Sequence, residues 1–160
     1  FMGTYRMIVR KIRPEEIDET INLCKYYANE ASELNPEIGE QFDSDSVINL
    51  IRGRTAQDSF FWFNAYEGQR PVGFVSGTMT TPQWNENIVY AHIDLIFVLK
   101  EHRNISTFKQ LIGSVEEWGA IFDCKKITAG DIGIDVERSR KLYESQGFKE
   151  ALWMYKDIES

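Results

Sequence analysis

The chain has 160 residues, 42% of them hydrophobic and 13% aromatic. That is enough for one domain with a real core, and too apolar for a disordered chain. The formal net charge of −7 argues against general attraction to phosphate backbones, so nucleic acid is not an expected partner, while cationic ligands are favoured.

No apolar run approaches the ~20 residues that cross a bilayer, so no membrane partner is expected. The start, FMGTYRMIVRKIRPEE, has basic residues but no apolar h-region. Residues 1–6 read as a tag remnant or N-terminal extension, and the expected compartment is cytoplasmic. Cys24 and Cys124, with His92 and His102, are too few and too scattered for a metal centre, and no metal is expected.

MIVRKI (7–12) alternates apolar and basic residues, as a strand does. RPEEIDETINLCKYYANEA follows as a helix, with Pro14 and the acids at its start and Ile17, Ile21, Cys24 and Ala28 on one face. DSDSVINLIRG reads as a second, short helix capped by Asp43 or Ser44. SFFWFNAYEGQRPVGFVSGTMT is a hairpin turning at EGQR. NIVYAHIDLIFVL (87–99) is a long strand, apolar on both faces and therefore central. STFKQLIGSVEEWGAIF is helical, and KKITAGDIGI is a short strand. DVERSRKLYESQGF is a helix ended by Gly147, and FKEALWMYKDIE is a closing strand. There is no repeat or linker, so 1–160 is read as one mixed α/β domain: an antiparallel meander followed by a crossover unit.

SRKLYESQGF (139–148) carries the most specific local signal. With this element order it resembles the GNAT superfamily of acyl-CoA-dependent N-acyltransferases, whose corresponding helix reads roughly N-x-x-A-x-x-L-Y-x-x-x-G-F. Leu142, Tyr143, Gly147 and Phe148 match. Ser139 replaces the Ala, and Val136 replaces the Asn. The central strand's end, FVLKEHR, is similar to the family's V-x-P-x-x-R through Val98 and Arg103, with Lys100 for Pro. The resemblance spans about residues 7–156. It implies a mostly antiparallel twisted sheet of about 6–7 strands flanked by about 4 helices. It also implies acetyl-CoA as cosubstrate, lying in a gap beside the central strand near Phe97 and Val98, with its pyrophosphate on the turn that follows.

The family's turn reads approximately R/Q-x-x-G-x-G/A. Here it is Arg103, Asn104, Ile105, Ser106, Thr107 and Phe108, with both small positions lost. The helical spacing of Phe108 with Leu111, Ile112 and Val115 directs its ring into the core, which would leave the backbone free for an anion. Thr107 and Gln110 read as a capping box, which would leave fewer N–H groups for phosphate. The turn is either a phosphate cradle or an ordinary strand–helix connection. By the same resemblance, Tyr143 is the acid that protonates the departing CoA thiolate, or else a packing tyrosine.

An amine must lose its proton to attack. His92 and Asp94 are the candidate bases, two apart and on one face unless a bulge intervenes. An acid buried in so apolar a strand would be a stronger base. Each is otherwise a hydrogen-bonded structural side chain. From Asn29 to Asp45 the chain carries Glu30, Glu33, Glu37, Glu40, Asp43 and Asp45 with no Lys or Arg. The resemblance puts this segment at the acceptor mouth, where the acids would attract a cationic amine, though a solvated acidic loop looks the same. Trp84, between two strands, is either a substrate platform or a plug.

Two functions therefore stand side by side. One is an acetyltransferase acting by direct transfer to a primary amine of a small cationic molecule or peptide. The other is a GNAT-fold module that has lost the chemistry, with the aromatics of 60–66 free to form a homodimer. Nothing distinguishes acetyl from a longer acyl group.

Overall fold

The computed structural model describes residues 7–130 and 135–158. Among them five strands form one sheet in chain order: β1 (Met7–Lys11), β2 (Phe60–Glu67), β3 (Arg70–Thr80), β4 (Tyr90–Val98) and β5 (Lys126–Ala129). The first four are antiparallel, and β5 joins β4 in parallel. The helices are α1 (Ile17–Leu34), α2 (Pro36–Gln41), α3 (Ser44–Thr55), α4 (Ile105–Ile121) and α5 (Val136–Ser145).

Neighbouring residues of β2 point to opposite faces, and each face has its own helices. On one face Trp62 stacks on Phe74, which meets Phe97, whose ring meets Tyr27 of α1 edge-on. On the other, Phe61 packs on Trp118 of α4. The expected apolar faces form the core: Ile17, Ile21, Cys24 and Ala28 of α1 are buried, as are Phe108, Leu111, Ile112 and Val115 of α4.

A polar network pins α1 to the sheet. Trp62 Nε1 donates to Asn64 Oδ1 at 3.0 Å, and Asn64 Nδ2 donates to Thr20 Oγ1 at 2.8 Å. Asn64 and Thr20 are fully buried, and each is satisfied. At the start of α1, Arg10 binds both oxygens of Glu16 at 2.7 and 2.6 Å. Glu16 also accepts from the Arg13 N–H at 2.9 Å. These bonds, above all that from Arg10, hold the Glu16 carboxyl down at about 2.

The structure departs from the sequence reading in five places. The closing strand is not formed: residues 148–158 have no strand assignment, and Leu152, Trp153, Met154, Tyr155 and Ile158 are exposed. This lowers the strand count below the expected 6–7. The central strand starts at Tyr90 rather than residue 87. An additional short helix, α2, is capped by Asn35, whose side chain accepts from the Glu37 N–H at 3.2 Å, and Pro36 takes its first turn. The cap of α4 is Asn104, not Thr107: Asn104 Oδ1 accepts from the Thr107 N–H at 2.8 Å, so the expected Thr107–Gln110 box does not form. Three of the aromatics of 60–66 are not available to a dimer surface, since Phe61, Trp62 and Tyr66 lie in the core, while Phe60 and Phe63 are half-buried. The C-terminal part of KKITAGDIGI, 131–134, lies outside the described residues.

Candidate active site

The site grows out of two irregularities in β4. Opposite β3, Ser76 pairs with Leu95 and Gly77 with Ile93, so Asp94 is the extra residue of a bulge. On the other side, the parallel ladder with β5 runs from Tyr90↔Lys126 to Ile93↔Ala129 among the described residues, and Gly130 carries no strand assignment. Among the described residues, β4 therefore has no ladder partner on its β5 side from Asp94 onward, at the point where the bulge re-aims its side chains.

Gly77 makes this possible. A Cβ there would stand 2.0 Å from the His92 carbonyl oxygen and 2.3 Å from the Phe61 ring. Only a residue without one lets β3 lie so close to the bulged strand.

His92 and Asp94 do come together despite the bulge, with Nε2 and Oδ1 3.8 Å apart. His92 Nδ1 meets Thr128 Oγ1 of β5 at 2.8 Å. Asp94 is not buried, as its place in an apolar run suggested. Its side chain is 31% exposed and accepts from Arg54 of α3 at 2.5 Å. Arg54 itself lies over the Phe60 ring, 5.0 Å from its centre. Thr128, His92, Asp94 and Arg54 thus form a polar row across β5, β4 and α3. Sequence reading missed Arg54 and Thr128. Their only signal was the basic last turn of α3 and a Thr in a short strand, and neither reveals a partner tens of residues away.

The turn after β4 is braced from below. Arg103 Nε donates to the Val98 carbonyl at 2.7 Å, and its guanidinium pairs with Glu30 of α1. His102 Nδ1 lies 2.7 Å from Glu67. Phe97 and Val98 are buried. In α4's first turn the Thr107 N–H is taken by the cap, leaving those of Ile105 and Ser106 without an intrahelical acceptor. The ring of Phe108 is buried and meets Tyr143 of α5 edge-on, with centres 5.5 Å apart. Tyr143 also packs against Phe148, 5.1 Å away. The structure thus brings Tyr143 to the first turn of α4.

The acids of 30–45 are dispersed. Glu30 is engaged by Arg103, and Asp43 caps α3 by accepting from the Ser46 hydroxyl and from the Ser46 N–H at 3.0 Å; these bonds, the hydroxyl's above all, lower its pKa. Glu33 lines a hollow of about 290 Å³ with Phe97, Lys100 and Glu101. A larger groove of about 860 Å³ lies between α1 and the β2–β3 turn, away from the His92–Asp94 pair. Trp84 is 78% exposed, so it plugs nothing.

The sequence pattern of the acetyltransferase (GNAT) family matches residues 20–148, well over half of the chain. The chain belongs to that family. No curated protein sequence matches it. Among solved structures, the acetyltransferase is similar to the aminoglycoside N-acetyltransferase AAC(6')-Iy in complex with CoA. The TM-score is 0.78 at 18% identity, covering 98% of this chain and 97% of that one. It is also similar to the aminoglycoside 6'-N-acetyltransferase AAC(6')-Ih from Acinetobacter baumannii, with a TM-score of 0.72 at 20% identity, covering 96% of this chain and 100% of that one. An aminoglycoside acetyltransferase from an uncultured soil metagenomic sample gives a TM-score of 0.75 at 20% identity, over 97% of this chain and 99% of that one. Likeness at this identity establishes the fold of the acetyltransferase.

Proposed function

We propose that the acetyltransferase moves an acetyl group from acetyl-CoA directly to a primary amine on a small cationic acceptor, of the kind the aminoglycoside acetyltransferases are named for. The observation that carries this is the bulge that turns Asp94 outward beside His92, at Ile93↔Ala129, the last β4–β5 pair among the described residues. In this reading an extended thioester arm runs beside β4 from Asp94 to Val98, and the N–H groups of Ile105 and Ser106 at the start of α4 follow directly, suited to an anionic pyrophosphate. Arg103 holds this turn in shape through Val98 and Glu30 rather than offering a free guanidinium.

Asp94, with His92 beside it, takes the proton of the incoming ammonium, directly or through water. Arg54 and Thr128 fix their orientations. The amine nitrogen forms a bond to the acetyl carbonyl carbon, the carbon–sulfur bond breaks, and the thiolate receives a proton from Tyr143, while the second proton lost by the nitrogen, passed through water, restores the Tyr143 hydroxyl. The net charge of −7 and the acids Glu33, Glu37 and Glu40 draw a cation towards the α1–α2 end. Trp84, open to solvent, is assigned as a platform for the acceptor.

Calorimetric titration with acetyl-CoA, followed by assay against a panel of aminoglycosides and polyamines, tests the proposal. Micromolar binding is expected, weakened about tenfold in Arg103→Ala because the turn loses its brace. Absence of binding at millimolar acetyl-CoA would overturn it.

A further inference from the structure

The face of the sheet that carries His92 and Asp94 also carries a cation that the chemistry above does not use. In β4, Ala91 and Ile93 turn into the core, while Tyr90, His92 and Asp94 turn the other way and stay half-buried or exposed. β5 lies parallel beside them, with Tyr90 opposite Lys126 and His92 opposite Thr128. Side chains alternate along both strands, so these partners share one face. Two contacts bear that out: Thr128 Oγ1 meets His92 Nδ1 at 2.8 Å, and Lys126 Nζ lies 5.3 Å from the centre of the Tyr90 ring. The Lys126 ammonium therefore stands on the same open floor as the polar row, one alternation before His92.

No carboxylate offsets this charge. The neighbouring Lys125 is drawn to Asp123, 4.0 Å away, but none of the ion pairs among the described residues includes Lys126. Arg54, at the other end of the row, is held by Asp94 at 2.5 Å. The Tyr90 ring keeps the ammonium over the floor by cation–π attraction without cancelling its charge. Consider a polycation whose attacking nitrogen sits at His92 and Asp94. Its remaining ammonium groups can point along β4 in either direction. Towards Tyr90 they meet Lys126, and like charges at close range repel. In the opposite direction they leave it behind, on the side where Glu33, Glu37 and Glu40 attract them. Discrimination by a built-in repulsion is as effective as discrimination by an added contact.

We propose that Lys126 is a specificity-determining residue of the acetyltransferase. Its ammonium bars a second positive charge from the β5 side of the acceptor mouth, so the amine acetylated on a polycation is a terminal one, with charged neighbours on one side only. This rests on the direct transfer to a cationic amine proposed above, and it names which amine is chosen.

Steady-state kinetics and product mapping by NMR test it, with a simple monoamine and an aminoglycoside bearing several primary amines as acceptors. Lys126→Glu should lower KM for the aminoglycoside about tenfold at low ionic strength, and by less than about twofold at 0.5 M salt, where screening removes the repulsion. KM for the monoamine should change by no more than about twofold. The wild type should yield one acetylated position, and Lys126→Glu a second. Lys126→Arg should match the wild type, because it keeps the charge, and Lys126→Gln should fall between the two extremes. A KM change of equal size for both acceptors, an effect that salt does not weaken, or a product pattern indifferent to residue 126 would overturn the proposal while leaving the transferase reading intact. A wild type that acetylates no amine would overturn both.

Discussion

Gly77 has the least room of the described glycines, with no space for a side chain between the His92 carbonyl and Phe61. Gly77→Ala must push β3 from β4 at the bulge, a cost of about 3 kcal/mol or more by analogy with overpacked cores. Urea denaturation should show it as a lower midpoint with unchanged slope. The same scale holds the Arg54–Asp94 pair. Arg54→Gln removes the group that orients the carboxylate without touching the cosubstrate turn. The expected result is a fall in kcat of roughly ten- to a hundredfold with KM for acetyl-CoA unchanged, and partial recovery in Arg54→Lys. Equal losses in both parameters would instead mean that the pair only holds α3 on the sheet. Arg54 could not be found by reading: a basic residue in a helix's last turn is ordinary, and its partner is 40 positions away.

At the scale of elements, caps decide where helices start. Pro14, Asp43 and Gly147 were legible because each acts on its own neighbours: a fixed φ, a side-chain bond to Ser46, a positive φ of 86°. The cap of α4 was misplaced at Thr107 because two side chains three residues apart, Asn104 and Thr107, can each serve as cap, and the path of the chain out of β4 chooses between them. The start of α1 adds a tertiary device. Glu16 caps its turn and binds Arg10 of β1 in a fork. Its carboxyl is held at about 2 in the folded protein, below its unfolded value. The stability it contributes is therefore present above the unfolded value and lost as pH falls from about 4.5 towards 2. Glu16→Gln should lose about 1–2 kcal/mol at pH 7. Its unfolding free energy should also depend less steeply on pH across that acid window than the wild type's.

For the whole molecule, burial sets chemical accessibility. Cys24 lies in the core under α1, and desolvation pushes its thiol up to about 12. It should resist thiol reagents until global unfolding, whereas Cys124, only partly buried, reacts first. Mass spectrometry after brief labelling reads this directly: modification of Cys24 in the folded protein at the rate of Cys124 would mean that α1 opens separately from the sheet. The Thr20–Asn64–Trp62 network argues against such opening, since freeing α1 leaves buried donors without acceptors.

What the sequence by itself determined is what depends on near neighbours. The periods of α1 and α4, the hairpin at Gly68 and the helix ending at Gly147 follow from side-chain spacing and backbone freedom within a few residues. So does the direction of Phe108 into the core. Tertiary structure alone decided what depends on distant parts of the chain. It broke the alternation of β4 at Asp94, because Gly77 lets β3 come close there, and so exposed an acid that an apolar run would have buried. It assigned Glu30 to Arg103 and Arg54 to Asp94, pairings between helix and sheet that no local spacing encodes. And it left the apolar segment 149–158 off the sheet, because an apolar pattern states that a strand must be covered and not by which chain.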